Sequence, residues 1–299
     1  MVESRKSRII TQLLSNGVFW FFCLFCVLPF ILVFSISISN EESLLEYGYS
    51  IIPRSISLSA YKVLFTEPKQ IVTSYIVTIT VALTGTFFNL FVNSLIAYPL
   101  SRKDFAYRGR ITVYILITML FSGGLVPSYV LIAQVLKLKD TFWVLFLPGI
   151  VSAWNIIIFR TFMQSIPHEL IESAIIDGAG EFTIYSRIIV PISKPAFATL
   201  GLFAILGAWN DWFTPLLYIE NDKLLPIQAL LQRNLSTVEF LKENASKMGA
   251  GNVDRMLKDL PTESTRMALA ILVVVPMLLI FPFFQKYFVS GLTIGAIKG

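Results

Sequence analysis

Histidine and cysteine, two residue types that often carry out catalysis, are scarce in this 299-residue chain. His168 is the one histidine, and Cys23 and Cys26 are the two cysteines, one helical turn apart in an apolar run. A serine–histidine pair within an apolar segment, an HExxH motif and a multi-histidine metal site are therefore excluded. The chain also lacks the GxxxxGK(S/T) loop that cradles nucleotide phosphates. We expect a protein that is not an enzyme, holds no metal and no cofactor, and uses both cysteines for packing.

One carboxylate, Asp211, is predicted inside an apolar segment, within Trp209-Asn210-Asp211-Trp212. Because an unpaired acid is costly in lipid, Asp211 could line a translocation path and offer hydrogen bonds to a polar solute. It could equally pair with a neighbouring polar group, or lie near the outer interface that tryptophans favour. A two-aspartate protease would need a second such acid.

Several amides also fall in apolar segments, and two of them, Asn89 and Asn93, lie four residues apart on one helical face. Such amides need partners inside a membrane, so interhelical hydrogen bonding is at least as good an explanation as contact with a solute. The candidate residues of a translocation path are Asn89, Asn93, Asn155, Asn210 and Asp211.

The composition is that of a membrane protein. Hydrophobic residues make up 55% of the chain and charged residues only 14%, and the mean hydropathy is +0.71. Soluble domains usually carry about a quarter charged residues. The formal net charge is +5, but no basic patch with interleaved aromatic residues indicates nucleic-acid binding. The basic residues are better explained as anchors of loops at the cytoplasmic face, beside membrane lipid.

Six apolar segments reach the length of about 20 residues that a membrane-spanning helix needs. They are 18–39, 71–100, 111–138, 141–162, 194–218 and 267–284, and 121–127 must break or bend the third. The first is too long for the apolar part of a signal peptide and lacks a convincing cleavage site, so we expect it to be uncleaved. The predicted fold class is an all-α polytopic membrane protein.

Six spans place both termini on one side of the membrane. The dense basic loop at 102–110 lies on the same side as Arg5, Lys6 and Arg8. Short basic loops stay in the cytoplasm. The prediction is therefore a cytoplasmic tail at 1–17 and a six-helix domain at 18–299. A cytoplasmic island at 165–194 and an extracellular loop at 219–264 belong to that domain.

The island is a polar stretch between apolar segments. Apolar residues recur at helical spacing up to Ile175, Gly178 and Gly180 interrupt the pattern, and a second helical stretch runs from about Glu181 to Val190. Pro191 is expected to mark its end. The sequence thus predicts two short amphipathic helices joined at a glycine. They are too short and too charged to span a bilayer, and are well shaped for a soluble partner to grip.

The residues 172–191 resemble the EAA loop of ABC-importer permeases. The family pattern is Glu-Ala-Ala, three residues, Gly, nine residues, Ile, one residue, Leu-Pro. Here Glu172-Ser173-Ala174, Gly178, Ile188 and Val190-Pro191 stand at the same spacing, with Ser173 in place of Ala and Val190 in place of Leu. The segments 121–127, 209–215 and 291–299 extend the resemblance along essentially the whole chain, to the carbohydrate (maltose-type, MalG-like; LplC/YtcP-like) branch.

The resemblance implies a type I ABC-importer permease in a bacterial cell membrane, with both termini cytoplasmic. It implies four kinds of partner: a second homologous permease, two cytoplasmic ABC ATPase subunits, an extracellular solute-binding protein and a sugar or oligosaccharide as solute. The residues it assigns to ATPase coupling are Glu172, Ser173, Ala174, Asp177, Gly178, Ile188 and Pro191. Ala174 would permit close approach, Gly178 would make the turn, and Ile188 with Pro191 would anchor the second helix.

Two alternatives remain open from the residues alone. A secondary transporter or channel would need intramembrane ion-coupling residues, and only Asp211 offers itself. A membrane scaffold or assembly factor would need no polar pathway. Both alternatives predict that the chain has no ATPase partner.

Overall fold

The computed structural model describes residues 5–66, 68–244 and 262–296 of the chain. In these ranges the protein is helical, without a β-strand beyond the isolated bridge of Ser39 and Ile56. The α-helices are α1 (Arg5–Ser37), α2 (Glu41–Tyr47), α3 (Ser59–Thr66), α4 (Lys69–Ser101), α5 (Arg108–Leu120), α6 (Leu125–Tyr129), α7 (Ala153–Gln164), α8 (Glu169–Ile176), α9 (Glu181–Ile184), α10 (Val190–Ile192), α11 (Lys194–Asn210), α12 (Phe213–Tyr218), α13 (Ile227–Asn244) and α14 (Glu263–Ala296). Turns of π type at Val130–Val135 and Tyr185–Ile189, and of 3-10 type at Phe142–Leu145, Leu147–Gly149 and Asp222–Leu224, link some of them.

Three helical segments are long and apolar enough to cross a membrane alone: Thr11–Ser37, Lys69–Ser101 and Glu263–Ile280. Three more candidates are bent pairs, Arg108–Leu120 with Leu125–Val135, Phe142–Gly149 with Ala153–Gln164, and Glu181–Ile192 with Lys194–Asn210, which bend by 110°, 50° and 77°. If each bent pair is one crossing, the described residues hold up to six, the number predicted from the sequence.

The chain forms two compact units, 1–68 with 231–275 and 69–230 with 276–299. In the second unit, α4 packs against α7 and α11. Small residues permit the close approach, since a Cβ on Gly201 would lie 3.2 Å from Leu90 Cδ1, and one on Gly85 3.0 Å from Phe146 Cβ. The described residues of this unit form two apolar clusters. One includes Leu100, Phe159, Ile184, Ile189 and Leu200, and the other includes Val77, Val81, Val144, Leu145 and Tyr218.

In the first unit, polar side chains tie the helix ends together. Asn40 caps α2 by accepting from Glu42 N. The Glu41 carboxylate accepts from the backbone N–H groups of Glu263 and Ser264 at 3.0 Å each, and so caps α14. The Ser37 and Tyr61 hydroxyls share a 3.0 Å hydrogen bond. α1, in contrast, exposes large apolar side chains along 13–34.

The structure differs from two predicted helix boundaries and adds a helix within a predicted loop. The fifth apolar segment is not one helix to Tyr218, because Asp211 is extended at the end of α11 (φ −74°, ψ 106°) and α12 starts anew. The predicted loop at 219–264 contains α13, and its residues 245–261 lie outside the described ranges. Pro191 does not end its helix. It lies in α10, which continues from the π turn at Tyr185–Ile189 and reaches Ile192.

Candidate functional site

A cavity of about 460 Å³ lies in the second unit between α4, the 3-10 turns at 142–149, α7 and α11. Its wall combines amides, hydroxyls and a carboxylate with two phenylalanines. The lining residues are Gly85, Thr86, Asn89, Leu145, Phe146, Gly149, Ser152, Asn155, Phe203, Ala204, Gly207, Ala208 and Asp211. This mixture of a few polar groups on an apolar wall is the ordinary makeup of a small-molecule site.

Three of the predicted path residues meet in one hydrogen-bond network at the break before α7. Asn89 Nδ2 donates to the carbonyls of Gly149 (3.1 Å) and Ile150 (3.0 Å), while its Oδ1 accepts from Asn155 Nδ2 at 2.7 Å. Asn93 Nδ2 donates to Ile150 O at 2.8 Å, and its Oδ1 accepts from Ser152 N at 2.8 Å. The helix break frees these backbone groups, and the amides of α4 satisfy them where water is scarce.

The network separates the roles of the amides. Asn93 is fully buried and both ends of its amide are engaged, so it supports the wall from behind. Asn89 and Asn155 reach the cavity as well as the network. Asn210 does not line the cavity; its Nδ2 donates to Leu206 O of its own helix.

Asp211 lines the cavity at the α11–α12 break. Its Oδ1 accepts from the backbone N–H groups of Phe213 (3.1 Å) and Thr214 (3.0 Å), so the carboxylate caps α12. The two sequence interpretations, polar pairing and a place on the path, are therefore compatible at this residue. Thr86 adds a buried hydroxyl oxygen that has no hydrogen-bond partner among the described residues.

The island forms the two predicted short helices, and its turn is a Schellman motif. Gly178 has φ +77°, its N–H bonds to Ile175 O at 3.0 Å, and the N–H of Ala179 bonds to Ala174 O at 2.9 Å. These bonds satisfy the last carbonyls of α8 without any side chain. A residue with a Cβ would be strained at this φ, which explains the glycine.

The predicted coupling residues lie on different faces of the island. Glu172, Ser173 and Asp177 are exposed, as is Pro191. Ala174 packs into the apolar cluster of its own chain, and is 8% exposed. Ile188 is half-buried against the same cluster. The close approach that Ala174 permits is therefore to its own chain.

Sequence reasoning missed the residues that fasten the second helix of the island. Ile184, Tyr185 and Ile189 are its buried side chains. Their spacing of one and four residues was a usable signal. Beside them, buried Arg102 donates two hydrogen bonds to Asp104, from Nε at 3.0 Å and Nη2 at 2.8 Å. That hydrogen bond lowers the pKa of Asp104 and raises the pKa of Arg102.

Among the described residues no group of three or more His, Cys, Asp or Glu side chains could hold a metal ion.

The comparison with known families decides the identity. The model of the binding-protein-dependent transport system inner membrane component family matches residues 4–294. The chain belongs to this family. It is a membrane permease of the binding-protein-dependent type, and the fold class predicted from the sequence is confirmed.

The relatives of this permease are of similar length. It is 37% identical over 294 residues to the polygalacturonan/rhamnogalacturonan transport system permease protein YtcP of Bacillus subtilis, covering 98% of this chain and 100% of the relative. It is 37% identical over 274 residues to protein LplC of the same organism, covering 91% and 90%. These matches confirm the resemblance to the LplC/YtcP-like permeases.

A solved structure agrees. A chain of the bacterial ABC transporter involved in the import of the acidic polysaccharide alginate superposes on this permease with a TM-score of 0.81 and 26% identity, covering 96% of this chain and 99% of that one. The relatives are permease subunits rather than enzymes.

Proposed function

We propose that this permease forms, with a second homologous permease, the pathway of an ATP-driven importer for a sugar or oligosaccharide. The observation that carries the proposal is the cavity lined by Thr86, Asn89, Asn155 and Asp211. Amide, hydroxyl and carboxylate groups can exchange hydrogen bonds with sugar hydroxyls, and Phe146 and Phe203 offer apolar surface. The names of the relative YtcP and of the alginate importer point to the same class of solute.

The second permease and lipid would cover apolar surface that this chain leaves open. α1 exposes Phe19, Trp20 and Phe25, each by about two thirds or more. A soluble chain rarely exposes contiguous apolar surface of this kind, so lipid or a partner helix is its expected environment.

The island would couple transport to ATP hydrolysis in partner subunits, since this chain carries no phosphate-binding loop. Polar Glu172, Ser173 and Asp177 are exposed, and apolar Ile176 and Phe182 are 85% and 69% exposed. This mixture suits a cleft on a cytoplasmic ATPase, where apolar side chains supply affinity and polar ones set the register. The short helices would transmit a rigid-body displacement.

We further propose that the island and both termini are cytoplasmic, in the cell membrane of a bacterium. The loop at 219–264 would then face outward, towards the solute-binding protein. The basic residues of 102–110 support this orientation.

The deciding experiment is purification of the permease from its native membrane in mild detergent, followed by identification of the subunits that come with it. A second permease and a P-loop ATPase in stable stoichiometry, with ATP hydrolysis stimulated by a sugar-loaded binding protein, are the expected result. A permease that comes alone, and whose residue 178 never cross-links to an ATPase, would contradict the coupling role. Asp211 would then be the starting point for a secondary-transport mechanism.

A further inference from the structure

Two phenol hydrogen bonds join the last turns of α4 to the second helix of the island. Tyr98 Oη donates to Glu181 Oε2 at 2.5 Å, and the hydroxyls of Ser94 and Tyr185 are 2.7 Å apart. Ser94 and Tyr98 are four residues apart on α4, as are Glu181 and Tyr185 on the facing helix. Each pair therefore lies on one helical face, and the two bonds are successive rungs between the helices.

Three of the four side chains in these two hydrogen bonds are buried. Ser94 is fully buried, Tyr98 is 7% exposed and Tyr185 is 5% exposed, and the two rings lie 5.6 Å apart. A buried hydroxyl that loses its partner pays the full cost of desolvation, so the two helices are held in one register.

Arg102 lies beside the outer rung. Its Nη2 lies 3.5 Å from Glu181 Oε1, while Glu181 Oε2 receives the Tyr98 hydroxyl. The Glu181 side chain is 62% exposed on its other face. Arg102 thus adds an ion-pair contact to Glu181, while its hydrogen bonds go to Asp104.

The first helix of the island is attached differently. α8 contacts the bundle through apolar Ile171 and Ala174, which belong to the same buried cluster. Apolar contacts are non-directional and permit sliding, whereas hydrogen bonds prescribe a geometry. A displacement of the island would therefore reach α4 through the second helix rather than the first.

α4 connects the Tyr98–Glu181 hydrogen bond to the cavity. Tyr98 and the cavity residue Thr86 are 12 residues apart on one helix, which is about 18 Å at 1.5 Å per residue. Asn89, between them, holds the carbonyls of Gly149 and Ile150 on the far side of the cavity wall. The backbone break before α7, which borders the cavity, would therefore move together with α4.

We propose that Tyr98 and Glu181 are the positioning residues that convert displacement of the island into movement of α4 and of the cavity wall. This inference rests on the proposed importer function and adds the route of coupling within the chain. Arg102 adds its ion-pair contact to Glu181, and Ser94 with Tyr185 forms the second rung.

The test follows the cavity directly and needs no knowledge of the solute. A cysteine replaces Gly207, which lines the cavity and whose added Cβ meets nothing within 4 Å. Cys23 and Cys26 are changed to Ser in the same chain. In the complex purified with its partner subunits, the labelling rate of the new cysteine by a membrane-impermeant maleimide is measured with and without ATP, beside the rate of ATP hydrolysis.

Four variants share this background. Tyr98→Phe removes only the hydroxyl, and Glu181→Ala removes its acceptor. Glu181→Gln keeps an acceptor oxygen, and Tyr114→Phe makes the same chemical change on an exposed ring of α5. A hydrogen bond to a charged group is worth about tenfold or more in an equilibrium. In Tyr98→Phe and Glu181→Ala the ATP-dependent change in labelling should therefore fall about tenfold while ATP hydrolysis continues.

Glu181→Gln and Tyr114→Phe should keep most of the labelling change. If both Tyr98→Phe and Glu181→Ala show the same labelling change as the parent, the proposed role of the Tyr98–Glu181 hydrogen bond is refuted. The proposed importer function is not affected by that result. If the labelling rate of the parent complex does not change with ATP, the result contradicts the proposed function and, with it, the proposed role of Tyr98 and Glu181. Thermal unfolding of each variant shows whether the fold is intact, and the exposed Glu181 side chain makes Glu181→Ala the safer of the two.

Discussion

The second unit contains two helix breaks that are satisfied in opposite ways. Before α7, the freed carbonyls of Gly149 and Ile150 are held by the side chains of Asn89 and Asn93 from another helix. After α8, the freed carbonyls are satisfied by the backbone of the turn itself, with Gly178 at a positive φ. The first break borders a cavity within the bundle and the second is exposed.

The difference follows from the environment of each break. Within a membrane bundle, water cannot take over a lost backbone hydrogen bond, so a side chain must supply the partner. At an aqueous surface a glycine turn is enough, and the side chains around it remain available for other contacts. Changes at the first break should therefore act on stability, and changes at the second on the proposed contact with an ATPase.

The largest effect is expected at Gly178. Its φ of +77° is incompatible with proline, which requires a φ of about −65°. Gly178→Pro should reduce ATP-driven uptake more than about tenfold, while the complex still extracts as a folded membrane protein. Gly180→Ala is the matched control, since Gly180 has φ −72° and its added Cβ meets nothing within 4 Å. Normal uptake by Gly178→Pro would refute the coupling role.

Gly207→Leu should block the cavity without unfolding the bundle. The added side chain enters open space in the cavity, and leucine favours a helix by about 1 kcal/mol over glycine. Uptake should fall several-fold, while thermal stability should not decrease. Gly85→Ala provides the opposite control, because its Cβ would lie 3.0 Å from Phe146 Cβ and should lower stability. Full uptake by Gly207→Leu would mean that the solute does not pass this wall.

Asn93→Leu should destabilise the permease by about 1–3 kcal/mol, because Ser152 N loses its acceptor on Asn93, whereas Ile150 O keeps its hydrogen bond from Asn89 Nδ2. Denaturant unfolding in detergent measures the change. Asn210→Ala is the comparison, since the amide of Asn210 bonds within its own helix and is exposed. Its effect should stay within about 0.5 kcal/mol. Equal losses in both variants would remove the distinction between the two kinds of amide.

The smallest effect is expected for Asp211→Asn. Asparagine caps a helix about as well as aspartate, so the stability of α12 should change by less than about 1 kcal/mol. If the carboxylate contacts the solute, uptake should change a few-fold or shift in specificity. Unchanged uptake kinetics would leave Asp211 with the capping role alone.

Much of the architecture was predictable because it rests on local signals. Apolar length indicated the spans, and the glycines with the spacing of apolar residues indicated the two short helices of the island. The break at 121–127 was also predictable from Gly123, Gly124 and Pro127, and the structure bends there by 110°.

The break at Asp211 and the helix α13 escaped the sequence prediction for different physical reasons. Hydropathy does not distinguish one apolar helix from two joined at a capping residue, so Asp211 was read as an acid within a span. α13 was missed because a polar helix is stabilised by contacts far away in the sequence.

The sequence by itself determined that this chain is a helical membrane permease, because apolar length and a spaced motif are local properties of the residues. Only the tertiary structure decided which amides border a cavity and which only hydrogen-bond buried backbone groups. It alone brought Tyr98 to Glu181 across 83 residues of chain. The partner of a polar group depends on which helices pack together, and that packing is not encoded in the neighbouring residues.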